Sequence, residues 1–170
     1  KDGSISVEDD GRGIPVDMHK LEKMSALELV MTQLNAGGKF KKDIYKCSGG
    51  LHGIGASAVN ALSEWCYVEV RRDGKVYKQS YKRGIRQSDV ETIGKTKHTG
   101  TKTVFKPDKE IFKDAALEFD YDTILERIKE RAYLNPKLKL SLLDNRTDKF
   151  VEFCFDGGIK VCEFTNRGDY

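Results

Sequence analysis

The chain has 170 residues, about one domain's worth and long enough to bury a core without a disulfide or a metal. Hydrophobic residues make up 38% and charged residues 34%, which excludes collagen, coiled coil and disordered tail, and no apolar run approaches the roughly 18 residues of a membrane span. Thirty Lys and Arg against 27 Asp and Glu leave a net charge of +3, too mild for a dedicated DNA-binding module, so any nucleic-acid role falls to a local patch or to another domain.

The chain opens Lys1-Asp2-Gly3-Ser4 without Met and runs directly into a strand pattern; it reads as a fragment whose N-terminal part is missing, with no signal peptide. Ser4 to Glu8 alternates, with Ile5 and Val7 on one face. Asp9-Asp10-Gly11-Arg12-Gly13-Ile14-Pro15 then stops the strand in a tight loop. Ser25 and Glu28 form a capping-box pattern for a helix through Leu34, with Leu27, Val30, Met31 and Leu34 as its apolar stripe. Gly37, Gly38, Gly49, Gly50, Gly53 and Gly55 follow, interleaved with Lys39, Lys41, Lys42 and Lys46.

A short helix is expected from Ser57 to Ser63, with Val59 and Leu62 inward. Strands are expected over Cys66 to Arg72 and Lys75 to Arg83, joined by the hairpin signal Asp73-Gly74. Residues 84–99 are polar and read as loop, and Thr101 to Phe105 as a strand closed by Pro107. Tyr121 to Leu134 has helical periodicity, with Ile124, Ile128 and Tyr133 toward the core, and Pro136 ends it. Leu138 to Leu143 and Phe150 to Phe155 make a second hairpin across Asn145 to Asp148. The pattern predicts an α/β (α+β) chain with a mixed, mostly antiparallel sheet and helices on one face. Cys47, Cys66, Cys154 and Cys162 lack CxxC spacing and the three histidines complete no zinc pattern, so the cysteines read as reduced structural thiols.

Glycines let backbone amides approach an anion closely, and a helix N-terminus supplies free N–H donors with a positive partial charge. Gly49 to Gly55 leads straight into the predicted helix, so this stretch reads as a phosphate site. No P-loop pattern occurs. Gly53 to Ala58 fits a Rossmann fingerprint, but the residues before it, Phe40 to Cys47, are not a buried apolar strand, and the next connection is a hairpin. His52, a lone histidine in a glycine loop, is a weak candidate for a general base. The carboxylate of Asp9, at a strand end beside glycines, presents an acceptor for a ligand amine, or else serves an ordinary turn.

Taken together, Asp-x-Gly-x-Gly, a helix, a Gly/Lys segment, Gly-x-x-Gly-x-Gly and Gly100-Thr101 on a later strand resemble the GHKL ATPases. The wording of Ala36 to Phe40 and Ser48 to Ser63 resembles the type II topoisomerase branch, from residue 1 to about 160. The resemblance implies a two-layer sandwich ATPase domain over 1–155, with 156–170 starting the following transducer domain. It implies ATP and Mg²⁺ as cofactors. Asp9 would accept from the adenine amine, with Gly13 and Thr101 holding a bridging water. Arg12, Ile14, Pro15 and Val30 would wall the base, and Arg72 would stand at the pocket mouth, where aminocoumarins reach. Gly37, Gly38, Lys39, Tyr45 and Lys46 would form a lid on the phosphates. Gly50, Leu51, His52, Gly53, Ile54 and Gly55 would cradle them.

The same resemblance puts the general-base glutamate and the Mg²⁺-binding asparagine upstream of Lys1, so no catalytic residue is assigned within the chain, and the fragment alone is expected to be inactive. The intact protein would be a cytoplasmic topoisomerase B-type chain that dimerises with ATP and works with a companion A-type chain on duplex DNA, with no membrane partner. The alternative within the class is a topoisomerase IV B-type chain, and the alternative from another class is a non-hydrolysing nucleotide-binding or chaperone-like GHKL module.

Overall fold

The structure, a computed structural model, describes residues 2–19, 22–36, 53–113 and 118–156. It divides into two compact units, Gly3–Leu117 and a second formed by Lys1–Asp2 with Glu118–Tyr170. The expected start of a following domain at 156–170 lies, beyond Asp156, outside the described residues.

Among the described residues, the first unit is built on a six-stranded sheet. Its strands are β1 (Ile5–Asp9), β2 (Ser63–Arg72), β3 (Lys75–Lys82), β4 (Ile85–Arg86), β5 (Glu91–Lys95) and β6 (Gly100–Pro107). The order is β1-β6-β2-β3-β4, with β5 also on β3, and each described pairing is antiparallel. Asp73 and Gly74, both at positive φ (52° and 75°), make the predicted two-residue turn between β2 and β3. Arg83 and Gly84 (51° and 78°) make a second such turn into β4. Residues 84–99 therefore are not simply loop. Strand β5 is exposed at every position but Gly94, so backbone pairing to β3 forms it, and no buried face marks it in the sequence.

Helix α1 (Ala26–Thr32) starts as its residues predict, with the Ser25 hydroxyl accepting from Glu28 N at 3.0 Å. It ends two residues earlier than expected, and Leu34 is 66% exposed rather than part of the stripe. Helix α2 (Gly55–Ala61) also begins and ends early. Leu62 is exposed, Val59 is half-buried, and the buried positions are Ser57 and Asn60. The Asn60 amide donates to Met31 O (2.9 Å) and Gly84 O (3.3 Å), so α2 is fastened by polar contacts to the end of α1 and to the β3–β4 turn. The core gathers Leu27 and Met31 of α1, Cys66, Val68 and Val70 of β2, and Tyr81 of β3. Burial pushes the Cys66 thiol up to about 12.

In the second unit, α3 (Tyr121–Leu134) matches the predicted helix, with Asp120 capping Thr123 N at 2.8 Å. Strands β7 (Leu140–Asp144) and β8 (Lys149–Phe153) form the predicted hairpin. Ala132, Val151, Phe153 and Phe155 make its core. Ala132 is the helix residue buried most completely. Tyr133 is 45% exposed and reaches the core only through its ring, stacked on Phe155 at 4.1 Å.

Candidate nucleotide site

Strand register brings residues far apart in sequence to one end of the first sheet. Asp9 pairs with Thr101 across β1 and β6, and Thr101 pairs with Val70 across β6 and β2. Side chains of directly paired residues share a face, so Asp9, Thr101 and Val70 stand in one row. Val70 is fully buried and Thr101 nearly so, whereas Asp9 at the strand end is exposed. The row thus runs from an apolar floor to an accessible carboxylate.

The loop after β1 is tied back onto that row. Gly11 N donates to Asp9 Oδ1 at 2.8 Å, which fixes the carboxylate as an Asx turn. Oδ2 has no partner among the described residues. Ile14 N donates to Thr101 Oγ1 at 3.3 Å, so the Thr101 hydroxyl keeps its own proton to donate. Arg72, at the end of β2, donates through Nη1 to Gly13 O at 3.1 Å.

Two glycines permit this packing. Gly13 has φ +73°, and a Cβ there would stand 2.7 Å from Arg71 O and 3.1 Å from Val70 Cγ1. Gly100 has φ +147°, and a Cβ there would collide with the carbonyl oxygen of Asp9. In the sequence Gly100 stands out only as part of the Gly100-Thr101 motif, with no role in the site assigned to it. Its signal was a glycine opening a strand, where glycine otherwise weakens pairing.

Of the other candidates, Arg12 and Pro15 are exposed in the same loop, Ile14 packs on the main core, and Val30 is half-buried on α1. Gly53 (φ 61°), Ile54 and Gly55 lead into α2, whose first turn has no side-chain cap. Its leading amides therefore take no side-chain acceptor within the helix start. Gly37, Gly38, Lys39, Tyr45, Lys46, Gly50, Leu51 and His52 lie outside the described residues. Among the described residues no group of three or more His, Cys, Asp or Glu is placed to hold a metal ion.

In chemical terms the row offers a fixed carboxylate acceptor, a buried hydroxyl able to donate and accept, and an apolar floor. That combination suits the edge of a planar heterocycle carrying an amine.

A family model described as "Histidine kinase-, DNA gyrase B-, and HSP90-like ATPase" matches residues 1–111. The DNA gyrase B protein of Archaeoglobus fulgidus is 56% identical over 163 residues, covering 94% of this chain and 25% of that protein. The DNA gyrase B protein of Thermotoga maritima is 54% identical over 169 residues, 99% of this chain and 26% of that protein. The type 2 topoisomerase B protein of Aquifex aeolicus is 51% identical over 169 residues, 99% of this chain and 21% of that protein. Among solved structures, the 43K ATPase domain of Thermus thermophilus gyrase B in complex with an aminocoumarin superposes with a TM-score of 0.77. It is 39% identical, and the match covers 93% of this chain and 39% of that one. The chain therefore spans between 21% and 26% of these curated relatives' lengths.

Proposed function

The chain belongs to the histidine kinase-, DNA gyrase B- and HSP90-like ATPase family, and on that premise we propose that it is the ATP-binding part of a type II topoisomerase of the DNA gyrase B kind. The observation that carries the site assignment is the row Asp9, Thr101 and Val70, closed by the Gly11 and Ile14 amides. Asp9 accepts a hydrogen bond from the adenine amine. Guanine presents a carbonyl acceptor at that edge, which the carboxylate repels. The Thr101 hydroxyl and the Gly13 backbone hold a water between base and carboxylate, and Ile14, Pro15, Val30 and Arg12 flank the base. Arg72 stands at the mouth.

The backbone from Gly50 to Gly55, with the first turn of α2, receives the phosphates, and Gly37, Gly38, Lys39, Tyr45 and Lys46 cover them. Mg²⁺ would supply charge neutralisation on the phosphates when bound, and no residue of this chain is assigned as its ligand or as the general base. The ATPase domain covers 1–155 and the transducer domain starts at 156. In the intact cytoplasmic enzyme, nucleotide binding closes a dimer clamp. Together with gyrase A, its companion protein, the hydrolysis cycle negatively supercoils DNA by passing one duplex through another.

Calorimetric titration with ADP and GDP tests the base assignment. A charge-assisted hydrogen bond contributes about 1.5–3 kcal/mol, and Asn retains an acceptor, so Asp9→Asn is expected to weaken ADP by about tenfold. GDP binding is expected to stay weak in both. Unchanged ADP affinity would mean that Asp9 is only a turn residue.

A further inference from the structure

We propose that Arg71 and Glu8, on the face of the sheet opposite the nucleotide site, position Asp9 by clamping the end of β1 across Gly100. The inference rests on the base-binding role of Asp9 proposed above. Side chains alternate along a strand, so Arg71 stands on the opposite face from Val70, and Glu8 on the opposite face from Asp9. Strand β1 lies at the sheet edge, and its ladder with β6 stops at the Asp9–Thr101 pair. Beyond that pair the ladder no longer holds the chain.

Arg71 belongs to β2, one strand further in, and is paired with Gly100 of β6. Because Gly100 carries no side chain, the guanidinium lies over it, 3.0 Å from where a Cβ would be. It thereby reaches β1, where Nη1 pairs with Glu8 Oε1 at 2.6 Å and Nη2 donates to Asp9 O at 3.4 Å. Its Nε is buried and has no hydrogen-bond partner among the described residues. Burying a guanidinium edge unsatisfied is unfavourable, so this geometry is maintained by what the two outer nitrogens hold. Together they fix the side chain before Asp9 and the carbonyl of Asp9 itself. The direction of the Asp9 carboxylate on the far face follows from those two anchors.

The consequence is selective. Loss of the clamp tilts the carboxylate that reads the base and leaves the phosphate groups' contacts alone. The test compares Arg71→Gln and Glu8→Gln. Lys78→Ala is the control, since Lys78 pairs with Glu69 at 3.3 Å on the same face, away from Asp9. Titrated with ADP, both single variants are expected to lose about three- to tenfold in affinity, the size of one ordinary hydrogen bond, and the ADP-to-GDP preference is expected to narrow equally. Affinity for inorganic tripolyphosphate is expected to be unchanged. In the ligand-free chain the amide resonance of Gly11, which donates to Asp9 Oδ1, is expected to move in Arg71→Gln and to stay in Lys78→Ala.

Equal losses for ADP and tripolyphosphate would make the pair merely structural and overturn the inference. So would unchanged ADP affinity in Arg71→Gln while Asp9→Asn loses it. Unchanged ADP affinity in Asp9→Asn would overturn both this inference and the base-binding role beneath it.

Discussion

Gly13 shows how one missing Cβ sets the shape of the loop after β1. Its φ of +73° is a conformation that L residues adopt at a cost, and its Cβ position stands 2.7 Å from the Arg71 carbonyl, which is backbone and cannot swing away. Gly13→Ala therefore combines backbone strain with a collision against a sheet strand. The expected destabilisation is about 1–3 kcal/mol, read as a shift in the urea midpoint of the first unit. The Arg72 hydrogen bond to Gly13 O breaks with it, so ADP affinity is expected to fall as well. Gly74 makes the contrast. Its φ is also positive, but nothing stands within 4 Å of its Cβ position, so the strain there acts without a clash.

At the level of the element, the β7–β8 hairpin carries a pH response of its own. The Arg146 side chain donates to both oxygens of Asp144, from Nε at 3.0 and 3.2 Å and from Nη2 at 2.8 Å, and Arg146 N adds a bond at 2.9 Å. These hydrogen bonds hold the Asp144 carboxyl down at about 2. An acid whose folded pKa lies below its ordinary value of about 3.9 stabilises the fold fully above that value. The contribution is lost as pH falls toward 2. The hairpin is therefore expected to weaken between about pH 4 and pH 2, followed by the Asp144 carboxyl carbon resonance. Asp144→Asn is expected to remove that pH dependence. A carboxyl that titrates near 4 in the folded chain would show the Arg146 contacts to be too weak in solution to matter.

Across the whole molecule, two separate cores imply two separate responses to core damage. Phe153 is 2% exposed and packs with Val151, Phe155 and Ala132 in the second unit, whereas Leu27, Met31, Cys66, Val68, Val70 and Tyr81 make the core of the first. Removing a buried Phe ring typically costs about 3–5 kcal/mol. Phe153→Ala is expected to strip hydrogen-exchange protection from α3, β7 and β8 while β1, β2, β3 and β6 keep theirs. Loss of protection in both units together would show them to be one cooperative body.

What the sequence determined by itself is whatever short-range chemistry decides. The Asp73-Gly74 turn, the Ser25 cap of α1 and the full extent of α3 follow from residues within a few positions of one another. The motif wording also pointed to the nucleotide-binding family, because such a site needs particular residue types at particular loop positions. Tertiary structure decided the rest. Nothing local distinguishes β5, whose exposed residues become a strand only through backbone bonds to β3. Leu34 and Leu62 carry the period of an apolar face, yet both helices end before those residues turn inward. The meeting of Asp9 with Thr101, the need for glycine at position 100 and the reach of Arg71 to Glu8 all depend on sheet register. Register is set by which strands lie side by side, a long-range choice that no window of neighbouring residues contains.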